Sequence, residues 1–304
     1  MPTPILHHYA LSPFSEKIRL AFGLKHLAWC SVQIPDRLPK PDYLALTGGY
    51  RRTPSLQIGA DVYCDTALIA EELERRWPTP TLFPAAAIGL HRIVERWAET
   101  QLFWPCALYV TGANAGALPD AFHADRAAMR GRPPPTPARV RAAGERARGR
   151  IAPQLLYVEQ LLESRRDFLL GDAPGLADLA VYHALWFLEQ LPQRLLGSLA
   201  PSAALLQWFA RVAALGHGTR QGLDADAALA IAREAVPLPV GCAGPFPWSC
   251  GRRVAIAPEE GTSAAVVGEL VGWSPTRLVL AREDPRAGRV HVHFPRAGYV
   301  VDTA

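Results

Sequence analysis

The stretch that decides the fold is PILHHYALSPFSEKIRLAFGL, residues 4–24. Residues 4–9 are largely apolar and predict a strand. The helical spacing of the apolar residues from Ile18 to Leu24 predicts a helix directly after it. Pro13 stands near the first turn of that helix, where its missing N–H costs little. A strand that leads straight into a helix begins an α/β unit.

The alternation of strands and helices continues to about residue 80. Residues 28–34 predict a second strand, and residues 42–47 predict a short helix that ends at two glycines. Residues 54–64 predict a β-hairpin around a Gly-Ala-Asp turn. Residues 66–76 predict a helix that stops before two prolines. The order β-α-β-α-β-β-α therefore predicts an α/β domain at residues 1–80.

The rest of the chain divides into a helical part and a β part. After a linker at 81–88, residues 88–235 carry helical patterns and predict an all-α domain. The proline-rich residues 132–137 must form a loop within it. Residues 236–304 alternate apolar and polar residues in four or five short stretches, which predict a small β-barrel or rolled sheet. The predicted helices cover residues 88–110, 138–164, 176–190, 201–215 and 224–235.

Composition narrows the classes of protein. Of 304 residues, 49% are hydrophobic and 20% are charged, which allows a large core. The net charge of +4 is small and spread along the chain, so nucleic acid is not an expected partner. No apolar run reaches about 18 residues, so no membrane span is expected. The five cysteines are odd in number and form no CxxC pair, which favours reduced thiols in a soluble cytoplasmic protein without a metal site.

Ser12 begins the first helix, where free N–H groups and the positive end of the helix dipole meet. A hydroxyl at this place can donate to a thiolate and lower the pKa of a thiol. By itself, however, Ser12 is better explained as an ordinary N-cap.

Two further features suit the same kind of ligand. Thr53 and Pro54 precede the hairpin strand, and a cis-proline there would leave the Thr53 backbone free to pair with an extended peptide. Asp65 and Thr66 begin the next helix. The Thr66 hydroxyl and the helix N–H groups can hold a carboxylate, and Asp65 can hold an ammonium. A ligand with a thiol, a peptide-like middle and an amino-acid end fits all three features.

These residues give the chain a resemblance to a known family. Residues 4–78 resemble the thioredoxin-like N-terminal domain of cytosolic glutathione transferases, of the type that has a serine near the first helix. The spacing from Pro54 to Asp65–Thr66 matches the family's path from its cis-proline to a Glu-Ser pair. In the second domain, the segment 171–178 resembles a capped helix start of the family, with Gly175 at the cap position. The resemblance covers about residues 1–235.

The resemblance implies roles for particular residues. Ser12 would activate the thiol of glutathione. Ser15 is its rival, because it occupies the second cysteine position of a thioredoxin-like CxxC. The Thr53 main chain would pair with the cysteinyl unit, and Asp65 with Thr66 would hold the γ-glutamyl end. The other implied ligand contacts are Phe14 beside the sulfur, Pro54 as the cis-proline, and Lys40 and Arg52 near the glycyl carboxylate.

The function that the resemblance implies is that of a glutathione transferase. It would conjugate the glutathione thiolate to small hydrophobic electrophiles in detoxification, as a cytoplasmic homodimer without a metal. Two alternatives stay open. One is a glutathione or small-ligand binding protein with little or no turnover. The other is a protein-interaction module that uses the β extension at 236–304, which ordinary family members lack.

Other polar features have plainer explanations. His7 and His8 point to opposite faces of a strand, so they are poor ligands for one ion. His291 and His293 share a face, but no acidic or cysteine partner lies near them in sequence, which favours packing. Tyr9 ends the first strand, where a packing role is preferred to a catalytic one.

Charged and aromatic runs on the predicted helices are explained in the same way. The five arginines between residues 139 and 150 predict a solvated helix face. Trp97, Phe103 and Trp104 are typical of a core or an interface, although in the family this helix lines the pocket for the second substrate.

Overall fold

A computed structural model describes residues 2–84, 88–163, 166–244, 246–262 and 264–304. Residues 85–87 of the predicted linker and Ser164, the last residue of the predicted helix 138–164, lie outside these ranges.

The first 80 residues form the elements that the sequence predicts. Ser12 caps the first helix through its side chain, and Gly48 ends the second in a left-handed conformation with φ of 73°. This order of strands and helices confirms the prediction of an α/β N-terminal domain. The elements are β1 (Ile5–His8), α1 (Pro13–Leu24), β2 (Ala28–Gln33), α2 (Pro41–Thr47), β3 (Ser55–Ile58), β4 (Asp61–Cys64) and α3 (Thr66–Arg76).

The helical domain follows, with two differences from the prediction. The helix predicted at 88–110 contains a π-helical turn at Ala98–Leu102. Residues 120–128 form a helix that the sequence did not predict. The helices are α4 (Ile88–Trp97), α5 (Phe103–Ala113), α6 (Asp120–Ala128), α7 (Pro137–Leu162), α8 (Leu176–Phe187), α9 (Ala203–Ala213) and α10 (Ala225–Glu234), with a short 3-10 helix at Leu196–Leu199.

Six further strands come after α9. The first of them lies inside the region predicted to be helical, and the last five form the C-terminal extension. They are β5 (Thr219–Gly222), β6 (Arg253–Pro258), β7 (Val266–Trp273), β8 (Arg277–Asp284), β9 (Gly288–Pro295) and β10 (Tyr299–Thr303).

The extension is built of β-strands, as predicted, and these strands continue the N-terminal sheet instead of closing into a barrel of their own. The ten strands run in the order β10-β6-β7-β8-β9-β4-β3-β1-β2-β5. Strand β9 pairs in parallel with β4, with Asp61 opposite His291, and β5 pairs in parallel with β2. An edge strand presents unpaired N–H and C=O groups. Both edges of the N-terminal sheet are therefore covered by later parts of the same chain.

Each face of this sheet has its own core. Leu6 and Leu56 lie in a cluster with the helical domain, together with residues of α1 and α3. Ile5 and Val62 lie in a second cluster, formed with α2, α10 and the strands of the extension. Neighbouring residues of a strand point to opposite faces, which explains why Ile5 and Leu6 belong to different cores. The helical domain and the extension thus stabilise opposite sides of one sheet.

The start of α8 shows why a glycine replaces the usual capping residue. A Cβ at Gly175 would lie 2.6 Å from the His91 ring and 2.8 Å from the Pro84 ring, too close for any side chain. Asp178 still completes half of the capping box, because its Oδ2 accepts from the Gly175 amide at 2.9 Å. Its Oδ1 also accepts from the Trp208 indole at 2.8 Å. Asp178 therefore has a structural role at the start of α8.

The cysteines correct one expectation. Cys242 and Cys250 form a disulfide in the loop before β6, where the sequence favoured reduced thiols throughout. Cys30, Cys64 and Cys106 are free, and the last two are buried.

Candidate functional site

The three predicted ligand segments meet at one end of the sheet. Ser55, the first residue of β3, pairs with His7 of β1 on one side and with Cys64 of β4 on the other. The start of α1 follows β1, the Thr53–Pro54 pair precedes β3, and the start of α3 follows β4. Since adjacent strands are about 4.8 Å apart, the segments form a row about 10 Å long.

The first corner of the site is the start of α1. Ser12 is 2% exposed, and its Oγ accepts from the Ser15 amide at 3.2 Å. Accepting this bond leaves the hydroxyl proton to be donated elsewhere. Ser15 Oγ is buried and has no hydrogen-bond partner among the described residues. Both serines are buried, and neither hydroxyl donates to another group among the described residues.

An aromatic wall, formed by Phe14, Phe103 and Trp104, extends from this corner into the helical domain. The Phe14 ring lies 4.7 Å from the Phe103 ring and 5.0 Å from the His183 ring. Trp104 packs on Phe103 at 5.0 Å and remains 37% exposed. Burial, helped by Lys17, lowers the pKa of His183 to about 3, so this ring is neutral. Phe103 thus lies at the contact between the two domains, beside the predicted sulfur position.

The middle of the row is the Thr53–Pro54 pair, whose peptide bond is cis as predicted. Lys40 Nζ donates to Thr53 Oγ1 at 3.0 Å and to the carbonyl of Arg51 at 3.2 Å. Burial, together with the nearby charge of Arg126, lowers the pKa of Lys40 to about 8. The structure therefore brings two of the predicted ligand residues, Lys40 and Thr53, into direct contact.

Helix α6 closes against this part of the row. Asp125 forms an ion pair with Arg51. Arg126 donates to the Tyr9 hydroxyl at 3.2 Å and to the Asp36 carbonyl at 2.8 Å. Tyr9 is therefore tied to α6, which agrees with the packing role preferred for it.

The far corner is the start of α3, where Asp65 is the N-cap with φ of 78°. Asp65 Oδ1 accepts from the Ala67 amide at 3.0 Å. Asp65 Oδ2 accepts from the hydroxyl of Tyr299 at 3.2 Å. Tyr299 belongs to β10, so the C-terminal extension reaches the predicted γ-glutamyl contact.

Thr66 joins a buried ion cluster. Lys17 Nζ is fully buried and lies 2.5 Å from Glu95, 2.6 Å from Glu99 and 3.1 Å from Thr66 Oγ1. The Thr66 hydroxyl donates to Glu99 at 3.2 Å. Burial opposes the charge on Lys17, but the two carboxylates outweigh it and raise the lysine's pKa. The pKa of Glu99 is raised to about 7, mainly by burial. The negative charges of Glu95 and Asp65 also raise it, and the positive charge of Lys17 lowers it.

Sequence reasoning missed this cluster, although a signal existed. Ala21 and Leu24 lie four and seven residues after Lys17, on the same face of α1. A charged residue therefore occupies an apolar stripe of this helix. Glu95 and Glu99 are likewise spaced by four residues. Tyr299 carried no such signal, because nothing local connects it with a residue 234 positions away.

The histidine pairs have separate partners. His7 Nε2 bonds Gln57 at 2.8 Å and His8 Nε2 bonds Ser31 at 2.8 Å, so the two rings serve different packing contacts. His293 Nε2 lies 2.8 Å from a carboxylate oxygen of Asp61, an acidic partner that the sequence did not predict. His291 is also buried, and its Nδ1 lies 4.0 Å from the same carboxylate oxygen.

Two absences hold for the described residues. No group of three or more His, Cys, Asp or Glu side chains in the described ranges is arranged to hold a metal ion. Within the same ranges, no helix has both the length and the apolar character needed to cross a membrane.

Comparison with known proteins agrees with this geometry. The model of the glutathione S-transferase N-terminal domain matches residues 6–81, and that of the C-terminal domain matches residues 141–211. The crystal structure of a GST-like protein from Pseudomonas syringae is 39% identical, with a TM-score of 0.76 and full coverage of both chains. The chain belongs to the glutathione S-transferase superfamily.

More distant members of the superfamily share the fold over a smaller part of the chain. A glutathione S-transferase from Rhodospirillum rubrum is 22% identical, has a TM-score of 0.54, and matches 69% of this chain and 87% of its own. Poplar glutathione transferase F1 is 14% identical, with a TM-score of 0.54, and matches 70% of this chain and 93% of its own. No curated protein matches this sequence. About 30% of this superfamily member thus has no counterpart in those two structures.

Proposed function

We propose that this chain is a glutathione transferase that conjugates the thiol of glutathione to small hydrophobic electrophiles. The observation that carries the proposal is the row formed by Ser12, Thr53–Pro54 and Asp65–Thr66 at one end of the sheet. The row is about 10 Å long, and an extended tripeptide spans about 10 Å. Glutathione is the co-substrate of this family, and its three units fit the three segments.

Ser12 is the residue that we assign to the sulfur. Its hydroxyl would donate to the sulfur, and the N-terminus of α1 would add the positive end of its dipole. Both effects stabilise a thiolate and lower the pKa of the bound thiol. Phe14 would pack beside the sulfur, and Ser15 is the rival donor.

The rest of the tripeptide would follow the row. The Thr53 main chain would pair with the cysteinyl unit, and Lys40 would meet the glycyl carboxylate. Asp65 would accept from the γ-glutamyl ammonium. Thr66 and the first amides of α3 would hold the γ-glutamyl carboxylate. With a pKa of about 8, Lys40 still carries its positive charge at neutral pH.

The electrophile would enter beside the aromatic wall of Phe14, Phe103 and Trp104. There the thiolate sulfur donates an electron pair to an electrophilic carbon, and a new S–C bond forms. A leaving group departs with its bonding pair, or the electrons of an activated double bond move to its acceptor group, which then takes a proton. Burial raises the pKa of the Cys64 and Cys106 thiols, so the nucleophile would be the thiol of glutathione.

We place this enzyme in the cytoplasm as a homodimer. Support for a second copy comes from apolar side chains exposed on α4 and α7, where Ile93 is 68% exposed and Tyr157 is 54% exposed. Such a patch favours an interface, and sedimentation velocity tests it.

Binding and turnover are tested separately. Retention on immobilised glutathione and calorimetric titration measure binding, and a panel of aryl halides, epoxides and enals measures conjugation. Ser12→Ala is expected to move the pH–rate profile to higher pH while glutathione affinity changes little. Ser15→Ala is the matched control. An unshifted Ser12→Ala profile together with a shifted Ser15→Ala profile would transfer the role to Ser15.

A second candidate function is a glutathione-binding protein with little turnover. The observation that favours it is the engagement of the ligand contacts by the protein itself: Thr66 with Lys17 and Glu99, and Asp65 with Tyr299. Binding to glutathione without conjugation of any member of the panel would support this second function.

A further inference from the structure

We propose that the C-terminal extension completes the glutathione site, with Tyr299 as a positioning residue that orients the Asp65 carboxylate toward the γ-glutamyl ammonium. This inference rests on the proposed function. It adds a residue from the C-terminal extension to a site otherwise built from the first two domains.

The contact is specific to the tyrosine hydroxyl. Tyr299 begins β10, where it pairs with Pro258 of β6, and only 7% of the residue is exposed. Its Oη donates to Asp65 Oδ2 at 3.2 Å. Burial raises the pKa of Tyr299 well above its ordinary value, so the phenol keeps its proton and remains a donor.

Packing delivers this hydroxyl to Asp65. The Tyr299 ring lies 5.7 Å from the Phe294 ring, and the Phe294 ring lies 6.1 Å from that of Tyr50. The hydroxyls of Tyr299 and Tyr50 are 3.4 Å apart. A side chain locked by its neighbours loses little entropy when it makes its hydrogen bond. The position of the hydroxyl is therefore fixed before any ligand arrives.

Both oxygens of the Asp65 carboxylate are held in this way. Oδ1 accepts from the Ala67 amide and Oδ2 accepts from Tyr299, which together fix the plane of the group. A carboxylate has about four acceptor positions, so two remain for an ammonium. Asp65 is partly exposed, so a ligand can reach it. The arrangement presents an oriented negative charge to a primary amine.

The same corner of the extension also reaches the middle of the site. The Arg52 guanidinium donates to the carbonyl of Glu260, in the turn between β6 and β7, at 2.5 Å. Arg52 directly precedes Thr53. The Glu259 amide donates to the carbonyl of Gly298 at 2.9 Å, which links this turn to the residue before Tyr299. One corner of the extension thus contacts both Asp65 and the residue before Thr53.

The test compares two ligands in two variants. Calorimetry measures the affinity of the wild-type chain, Tyr299→Phe and Tyr63→Phe for glutathione and for glutaryl-cysteinylglycine, which lacks the α-amino group. Tyr63→Phe is the matched control, because this buried hydroxyl contacts Arg76 at 3.3 Å and has no role in the proposed site.

We expect Tyr299→Phe to weaken glutathione binding about 5- to 20-fold and binding of the analogue less than about twofold. Tyr63→Phe should change both affinities less than about twofold. In conjugation assays, Tyr299→Phe should raise KM for glutathione in proportion and leave kcat within about twofold, because Asp65 does not contact the sulfur. In an Asp65→Asn background, adding Tyr299→Phe should change glutathione affinity less than about twofold.

The outcomes separate the two proposals. If the wild-type chain binds no glutathione, the proposed function is wrong and this inference falls with it. If the wild-type chain binds glutathione but Tyr299→Phe lowers the affinity for neither ligand, or lowers both affinities equally, the inference alone is overturned. The double variant keeps the test valid if Tyr299→Phe lowers the melting temperature. A general loss of stability would weaken glutathione binding in the Asp65→Asn background as well, whereas loss of the Tyr299–Asp65 contact would not.

Discussion

The two helix starts at the ends of the candidate site are built in different ways. At the start of α1, Ser12 receives its hydrogen bond from Ser15, three residues away. At the start of α3, Asp65 receives one from Tyr299 of the extension. The next residue, Thr66, bonds Lys17 of α1 and Glu99 of the helical domain.

This difference shows that one site can combine a corner held by local contacts with a corner held by long-range contacts. The Ser12 cap is made within the first turn of α1, so its hydrogen bond depends on local sequence. The α3 start depends on groups from three distant parts of the chain. A change in the helical domain or in the extension should therefore affect the α3 start far more than the α1 start.

The largest expected effect comes from Lys17→Met, which would leave Glu99 buried without its cation and Glu95 with only its ion pair to Arg92 at 2.9 Å. Breaking a buried ion cluster by removing one partner costs about 3–5 kcal/mol. We expect the free energy of unfolding, measured with urea, to fall by about that amount at neutral pH.

The control is Arg37→Met, whose partner Asp36 forms an ion pair at 2.9 Å with both side chains more than one-third exposed. Its loss should cost less than about 1 kcal/mol. Equal losses in the two variants would show that the cluster at α3 contributes no more than a surface pair.

The next effect concerns pH. The pKa of Glu99 is raised to about 7 in the folded chain, against an ordinary value of 4.5. Between these pH values Glu99 holds more protons in the folded state than in the unfolded state. Its contribution to the free energy of unfolding is therefore fully present below about pH 4.5 and is lost as the pH rises to about 7. Glu99→Gln should remove this dependence, with a change of ~1–3 kcal/mol in the difference between pH 5 and pH 8.

Urea unfolding across that pH range measures the Glu99 effect. Glu145→Gln, on the exposed side of α7, is the matched control and should leave the pH profile of the wild type unchanged. A Glu99→Gln profile parallel to that of the wild type would contradict the prediction.

The smallest effect is the loss of stability that we expect from Ser12→Ala. Losing an N-cap costs about 1 kcal/mol. Ser202→Ala is the matched control, since Ser202 caps α9 through the Leu205 amide far from the site. Similar losses by thermal unfolding would confirm that the α1 start is a local structure. A loss above about 3 kcal/mol at Ser12 alone would show that it too depends on distant groups.

Local patterns predicted most elements of the fold and the three segments that meet at the candidate site. The helix predicted at 66–76 has those bounds in the structure, because a capping aspartate and two following prolines mark its ends. Helix α6 escaped prediction, since its buried face rests on only His123 and Ala127. The cis bond at Thr53–Pro54 was implied by the resemblance, which matches Pro54 to the cis-proline of the family.

The sequence by itself determined the α/β unit, the helical domain and the added strands, since these follow from apolar periodicity. It also determined the serine, threonine and aspartate at the helix starts, since capping depends on only a few residues. Only the tertiary structure decided that β9 joins β4, that Lys17 is neutralised by Glu95 and Glu99, and that Tyr299 reaches Asp65. Those contacts join residues from about 80 to over 230 positions apart. Burial of both sheet faces and of charged groups such as Lys17 selects such partners. The sequence pattern within a few residues does not specify partners that are this distant along the chain.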